Sequence, residues 1–165
     1  CAAGEAALVE RVVGAVSELP ESARIADLYS GAGTFTFPMS KIASVSAYDG
    51  DDALMKALLQ GARGAGLDGR VSAEARHLGH RPLSTNVLSS FDAVVFDPPR
   101  PGAEIQVKEL ARSSVPLVVA VSCNPESFAR DARILIDGGY VLERVMPVDQ
   151  FVWTRHLELV GVFRR

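Results

Sequence analysis

Apolar residues along this chain change their spacing repeatedly. Leu8, Val9, Val12, Val13 and Val16 recur at helical intervals, which predicts an amphipathic first helix. Short apolar runs then predict buried strands over Arg24–Tyr29, Ser44–Tyr48, Val71–Ala75, Phe91–Phe96 and Val115–Ser122. Helical patterns lie over Asp51–Ala65, closed by Gly66, over Glu104–Arg112, and over Glu126–Ile136, stopped at Gly138 and Gly139. Tyr140–Pro147 and Leu157–Phe163 predict two last strands with a loop between them. His77–Ser90 is the least regular segment and reads as a loop with about one helical turn.

Alternating strands and helices predict an α/β fold with right-handed crossovers and a doubly wound sheet. The last two strands follow one another with no helix between them, so one of them must run antiparallel. The expectation is a seven-stranded, mostly parallel sheet with helices on both faces and a C-terminal antiparallel hairpin.

Composition narrows the class. The 165 residues fit one domain, and 48% hydrophobic residues suffice for a full core. No apolar run approaches the ~20 residues that span a bilayer. The start, Cys1-Ala2-Ala3-Gly4-Glu5, has neither an initiator Met nor a signal-peptide pattern. It reads as a piece of a longer protein, or as a processed chain. Net charge is −3 and the pI about 5.6, whereas a domain gripping nucleic acid unaided is usually basic. Either the substrate is not nucleic acid or another domain supplies most of the grip. Cys1 and Cys123 form no disulfide or metal pattern, so a reducing, cytosolic setting is expected.

Chemistry gathers at predicted strand ends. Asp27-Leu28-Tyr29-Ser30-Gly31-Ala32-Gly33-Thr34 turns from the first strand into a helix. Gly31 and Gly33 permit a tight turn and close approach of a ligand, at the end of the sheet where such folds bind ligands. The third glycine of a dinucleotide fingerprint is replaced by Thr36, which weighs against a pyrophosphate site and a dinucleotide oxidoreductase. Asp49 ends the second strand about 20 residues on, where an acid accepts hydrogen bonds from both ribose hydroxyls. The other reading of Asp49 is a capping acid, the role assigned to Asp51 and Asp52. Asp97-Pro98-Pro99-Arg100 follows the fourth strand, and its prolines hold Asp97 rigidly at the rim. Arg100 stands where amine methyltransferases place a stacking aromatic. Ser122-Cys123-Asn124-Pro125 ends the fifth strand. A helix starting near Glu126 would lower the Cys123 thiol pKa, although a lone strand-end cysteine is more often structural. Finally, Asp149 to Glu158 carries Phe151, Trp153 and His156. Glu158 enters an otherwise apolar strand, as a general base or as a rim partner of Arg155 or Arg144.

Four blocks together, Asp27–Phe35, Asp97–Gly102, Ser122–Pro125 and Asp149–Glu158, resemble the RNA uridine C5-methyltransferase family in order and spacing. The combination of Ser-Cys-Asn-Pro with a later His-x-Glu is specific to it. The resemblance runs from about Arg24 to Phe163. It implies the class I methyltransferase Rossmann-like fold, S-adenosylmethionine as cofactor, and transfer or ribosomal RNA as partner through an upstream RNA-binding domain. It also implies Cys123 as nucleophile and Glu158 as base. Asp27, Tyr29, Gly31, Gly33, Thr34, Asp49 and Asp97 would contact cofactor, and Asp97, Arg100 and His156 substrate. The chain departs from the family pattern at Arg76 and His77, where Asn or Asp often reads the adenine, at Thr34 and at Gly61. Two further readings carry the same fold: a silent S-adenosylmethionine-binding domain, and a methyltransferase of another substrate.

Overall fold

The computed structural model describes residues 2–149 and 157–165, with side chains for residues 4–148 and 157–165. The described elements run in the order α1 (Ala2–Val16), β1 (Arg24–Leu28), α2 (Thr36–Met39), β2 (Ser44–Asp49), α3 (Asp52–Gly64), β3 (Val71–Ala75), α4 (Thr85–Leu88), β4 (Ala93–Phe96), α5 (Glu104–Arg112), β5 (Leu117–Ser122), α6 (Pro125–Asp137), β6 (Val141–Asp149) and β7 (Leu157–Arg164).

The seven strands form one sheet of order β3-β2-β1-β4-β5-β7-β6. β1 to β5 pair in parallel, and β7 pairs antiparallel with both β5 and β6. The expected sheet and its C-terminal hairpin are both present.

Alternation of side chains across the pleat distributes each central strand over two cores. Val94 and Phe96 of β4 and Val118 and Ala120 of β5 pack with Val107, Leu110, Phe128 and Leu135 of α5 and α6. Ala93, Val95, Leu117, Val119 and Val121 face the opposite way, against Leu8, Val12 and Val16 of α1. Every residue of β4 and β5 is therefore buried, which explains their unbroken apolar runs.

Local signals set the element ends. Asp51 caps α3 by accepting from the amides of Ala53 and Leu54. Asn124 caps α6, with Pro125 in its first turn. The irregular segment 77–90 contains the single turn α4, begun by Ser84. β1 stops one residue earlier than its apolar run, because Tyr29 adopts a left-handed φ of 60°.

The chain crosses from β3 back to β4 on the other side of β1, so the direction of strand order reverses between β1 and β4. Carboxyl ends of parallel strands diverge at such a point and leave a crevice. The Asp97 amide donates to the Leu28 carbonyl (3.2 Å) and the Ser30 amide to the Tyr48 carbonyl (3.1 Å), tying the strand exits together there.

Candidate active site

A cleft of about 350 Å3 opens at this switch point, lined by Tyr29, Asp49, Gly50, His77, Leu78 and Asp97 among others. The Gly31–Gly33 turn is tied to this cleft through Asp49, which accepts from the Gly31 amide. Both glycines have positive φ, 53° and 97°. A Cβ at Gly33 would lie 2.8 Å from the Phe37 ring, so this position favours glycine by space as well as by φ. Thr34 is exposed on the turn and is not among the residues lining the cleft.

Asp49 links the turn to the next helix. Its Oδ2 accepts from the Gly31 amide (3.0 Å) and its Oδ1 from the Asp51 amide (3.0 Å). A carboxylate has about four acceptor sites, so each oxygen keeps capacity for a ligand hydroxyl. Asp51, not Asp49, takes the helix-capping role.

Asp27 lies beneath the turn at 1% exposure. Thr36 donates its hydroxyl to Oδ2 at 2.5 Å, while Oδ1 is buried with no partner among the described groups. The residue replacing the third glycine is thus the clamp on the buried acid, a role its sequence position did not disclose. Burial, more than the nearby charges of Asp97 and Asp49, pushes the Asp27 carboxyl up to about 7. Asp97 also rises to about 7, chiefly through burial and then through the charge of Glu158.

Raised carboxyl pKa values carry a stability consequence. The folded chain holds these two protons more tightly than the unfolded chain. Their contribution is full below about pH 3.8 and is lost as pH climbs through about 7. For fully buried Asp27 the loss is on the order of 4 kcal/mol. We expect these groups to lower the unfolding temperature of the ligand-free chain between about pH 4 and pH 7, and Asp27→Asn to flatten that fall. Thermal scans across this range check it; identical pH slopes for the two proteins would contradict the assignment.

Cys123 leaves β5 half-buried, and its turn is fixed on both sides. The Ser122 hydroxyl donates to the Asn124 carbonyl (3.1 Å) and accepts from the Asn124 amide (3.2 Å). The thiol shares its surroundings with Glu158, Asp97 and Arg100, whose charges all act on it. One expectation is corrected here. The thiol pKa is raised, first by burial and then by Glu158, and Arg100 offsets this only in part. Burial, with the charges of Glu158 and Asp97 added, outweighs what the start of α6 and Arg100 contribute.

Glu158 sits on β7 opposite Val148 of β6 and is half-buried. His156 and the preceding aromatic stretch, including Phe151 and Trp153, lie outside the described residues. Among those described, no group of His, Cys, Asp and Glu could hold a metal, and no helix is long and apolar enough to cross a membrane. Arg76, placed with His77 as a departure from the family pattern, is not among the residues lining the cleft. It donates to the Arg81 carbonyl (2.8 Å) and pairs with Glu74 (3.0 Å). His77 lines the cleft and stacks on His80, ring centroids 4.4 Å apart.

A sheet of this strand order, with an acid-flanked glycine turn at its switch point, defines a class I methyltransferase domain. The magnesium protoporphyrin IX methyltransferase of Synechocystis PCC 6803, solved with bound S-adenosylmethionine, shares that fold at TM-score 0.77 and 17% identity, over 99% of this chain and 81% of that one. The profile of the tRNA (uracil-5-)-methyltransferase family matches residues 79–165, and the chain belongs to this family. An "uncharacterized RNA methyltransferase" of Caulobacter vibrioides is 50% identical over 99% of this chain, and the 23S rRNA (uracil(1939)-C(5))-methyltransferase of Alteromonas naphthalenivorans 36% identical over 86%. The crystal structure of the Pyrococcus abyssi tRNA (uracil-54, C5)-methyltransferase, in complex with S-adenosyl-L-homocysteine, matches at TM-score 0.78 and 34% identity over 94% of this chain. The chain spans 39%, 30% and 38% of these three proteins respectively.

Proposed function

We propose that this chain is the catalytic portion of a cytoplasmic enzyme that methylates C5 of a uridine in transfer or ribosomal RNA, using S-adenosylmethionine. The observation that carries this reading is the convergence of Cys123, Asp97 and Glu158 beside a cleft suited to a nucleoside.

The cleft suits the cofactor in three respects. Asp49 has acceptor capacity for two vicinal hydroxyls. The side-chain-free backbone at Gly31 and Gly33 allows close approach. Asp97 on the cleft wall, with Asp27 buried beneath the glycine turn, favours a ligand bearing positive charge. When bound, S-adenosylmethionine supplies the methyl group that C5 accepts.

The chain's own residues supply the rest. C5 of an intact uracil is a weak nucleophile. Cys123 releases its proton to solvent, and the thiolate Sγ bonds to C6 of the base, which pushes the ring electrons toward C5. After C5 is alkylated, Glu158 removes the C5 proton. The electron pair of that C–H bond re-forms the C5–C6 double bond, and Cys123 departs as thiolate. Asp97, held rigid by Pro98 and Pro99, orients the base at the rim. A paired uridine must first leave its stack. With a net charge of −3, this chain leaves most of the RNA grip to other parts of the full-length protein.

Titration with S-adenosylhomocysteine and with NAD, read by thermal shift, tests the cofactor assignment. At 100 times its Kd, S-adenosylhomocysteine should stabilise by about 2.7 kcal/mol, or roughly 5–10 °C for a chain of this size. NAD should leave the unfolding temperature unchanged. Stabilisation by NAD alone would overturn the reading.

A further inference from the structure

Among the described contacts, loop 98–103 is fastened by the first turns of α6 and by their cap residue Asn124. Asn124 Nδ2 donates to the Arg100 carbonyl (3.2 Å). Arg130 Nη2 donates to the Pro101 carbonyl (2.9 Å). The Ala103 amide donates to Asp131 Oδ2 (2.8 Å). Asp131 Oδ1 in turn accepts from Arg130 Nε (3.0 Å) and Nη2 (2.7 Å), so the two side chains lock one another. Asp131 is 3% exposed, an acid on the apolar face of a helix. The loop is pressed tightly onto the pair: at Gly102, with φ 82°, a Cβ would lie 2.5 Å from Arg130 and 2.7 Å from Asp131.

We propose that Arg130 and Asp131 are positioning residues, which hold the Pro98–Ala103 backbone so that Asp97 and Arg100 are presented to Cys123. α6 begins two residues after Cys123, so one rigid element fixes both the nucleophile's turn and the loop facing it. The pair touches the loop through two directional contacts to main-chain atoms, with a third from Asn124, and main-chain atoms have no rotamers to relax. Asp131 also acts electrostatically on Tyr29, whose hydroxyl is pushed up to about 12 by burial and this charge, so the brace adjoins the cleft wall. The catalytic consequence rests on the function proposed above; the brace itself does not.

Hydrogen exchange on this chain, paired with steady-state kinetics on the full-length protein, tests the proposal in Asp131→Asn and Arg130→Gln. Arg130 is partly exposed, so its variant folds even where the Asp131 variant does not. Exchange in peptides covering residues 97–104 should quicken about tenfold in each variant, while β1, β4 and β5 stay within about twofold of the parent. In the full-length protein kcat should fall about tenfold, with KM for S-adenosylmethionine within twofold and partial rescue in Arg130→Lys. Unchanged loop exchange, exchange quickened throughout the sheet, or a quickened loop with unaltered kcat would each overturn the proposal. If the parent protein transfers no methyl group, the proposed function is what fails, and the exchange result still decides the brace.

Discussion

Cys123→Ala is expected to abolish methyl transfer by the full-length protein, by a factor on the order of 10^4 to 10^6, while leaving S-adenosylhomocysteine affinity within about twofold. On the proposed mechanism the loss is large, because no other group would replace the covalent bond to C6, and without it C5 would gain no carbanion character to attack the sulfonium methyl. Affinity survives because Cys123 is not among the residues lining the nucleoside cleft. Stability survives because the thiol is half-buried and the turn around it is held by Ser122 and Asn124. Single-turnover transfer of labelled methyl, beside calorimetric titration of S-adenosylhomocysteine, measures both quantities. Residual transfer within tenfold of the parent would remove Cys123 from the mechanism.

Glu158→Gln should fail at a different step. The amide has nearly the same shape but cannot accept the C5 proton. Attack and alkylation would proceed, while proton removal, worth about 10^2 to 10^4 in rate, would not. The enzyme should therefore accumulate as a methylated, protein-linked RNA that survives denaturing electrophoresis. Turnover should fall by a similar factor. The substitution also removes a negative charge that raises the pKa values of both Cys123 and Asp97, so attack itself should not slow. Normal turnover without trapped RNA would exclude Glu158 as the base.

The fold was legible because its signals are local and repeated. β4 and β5 announce themselves as unbroken apolar runs, since both of their faces are covered. Asp51 and Asn124 mark helix starts through their own side chains. Asp49 was legible by its distance from the glycine turn. What escaped the sequence depends on contacts between distant segments. Thr36 clamps Asp27 only because the glycine turn folds α2 back over β1. The upward shift of the Cys123 thiol escaped because its helix start is a near neighbour in sequence, whereas its burial, and after it the charge of Glu158 from β7, depend on the assembled fold. Tyr29 continues an apolar run, and nothing in its type signals a left-handed φ of 60°, a strained conformation for a non-glycine residue. Arg130 and Asp131 look like an ordinary solvated pair. The available signal was Asp131 falling in register with Phe128, Ala132 and Leu135 on the buried face of α6.

The central claim is a covalent bond between Cys123 and C6 of a uracil, and trapping tests it most directly. RNA carrying 5-fluorouridine at the target position lacks the C5 proton assigned to the proposed base Glu158, so elimination should stop after alkylation. Incubated with the full-length protein and S-adenosylmethionine, it should yield a denaturation-resistant complex. Peptide mass spectrometry should place one methylated fluoropyrimidine on Cys123. A complex mapped to another residue, or formed equally by Cys123→Ala, would contradict the account.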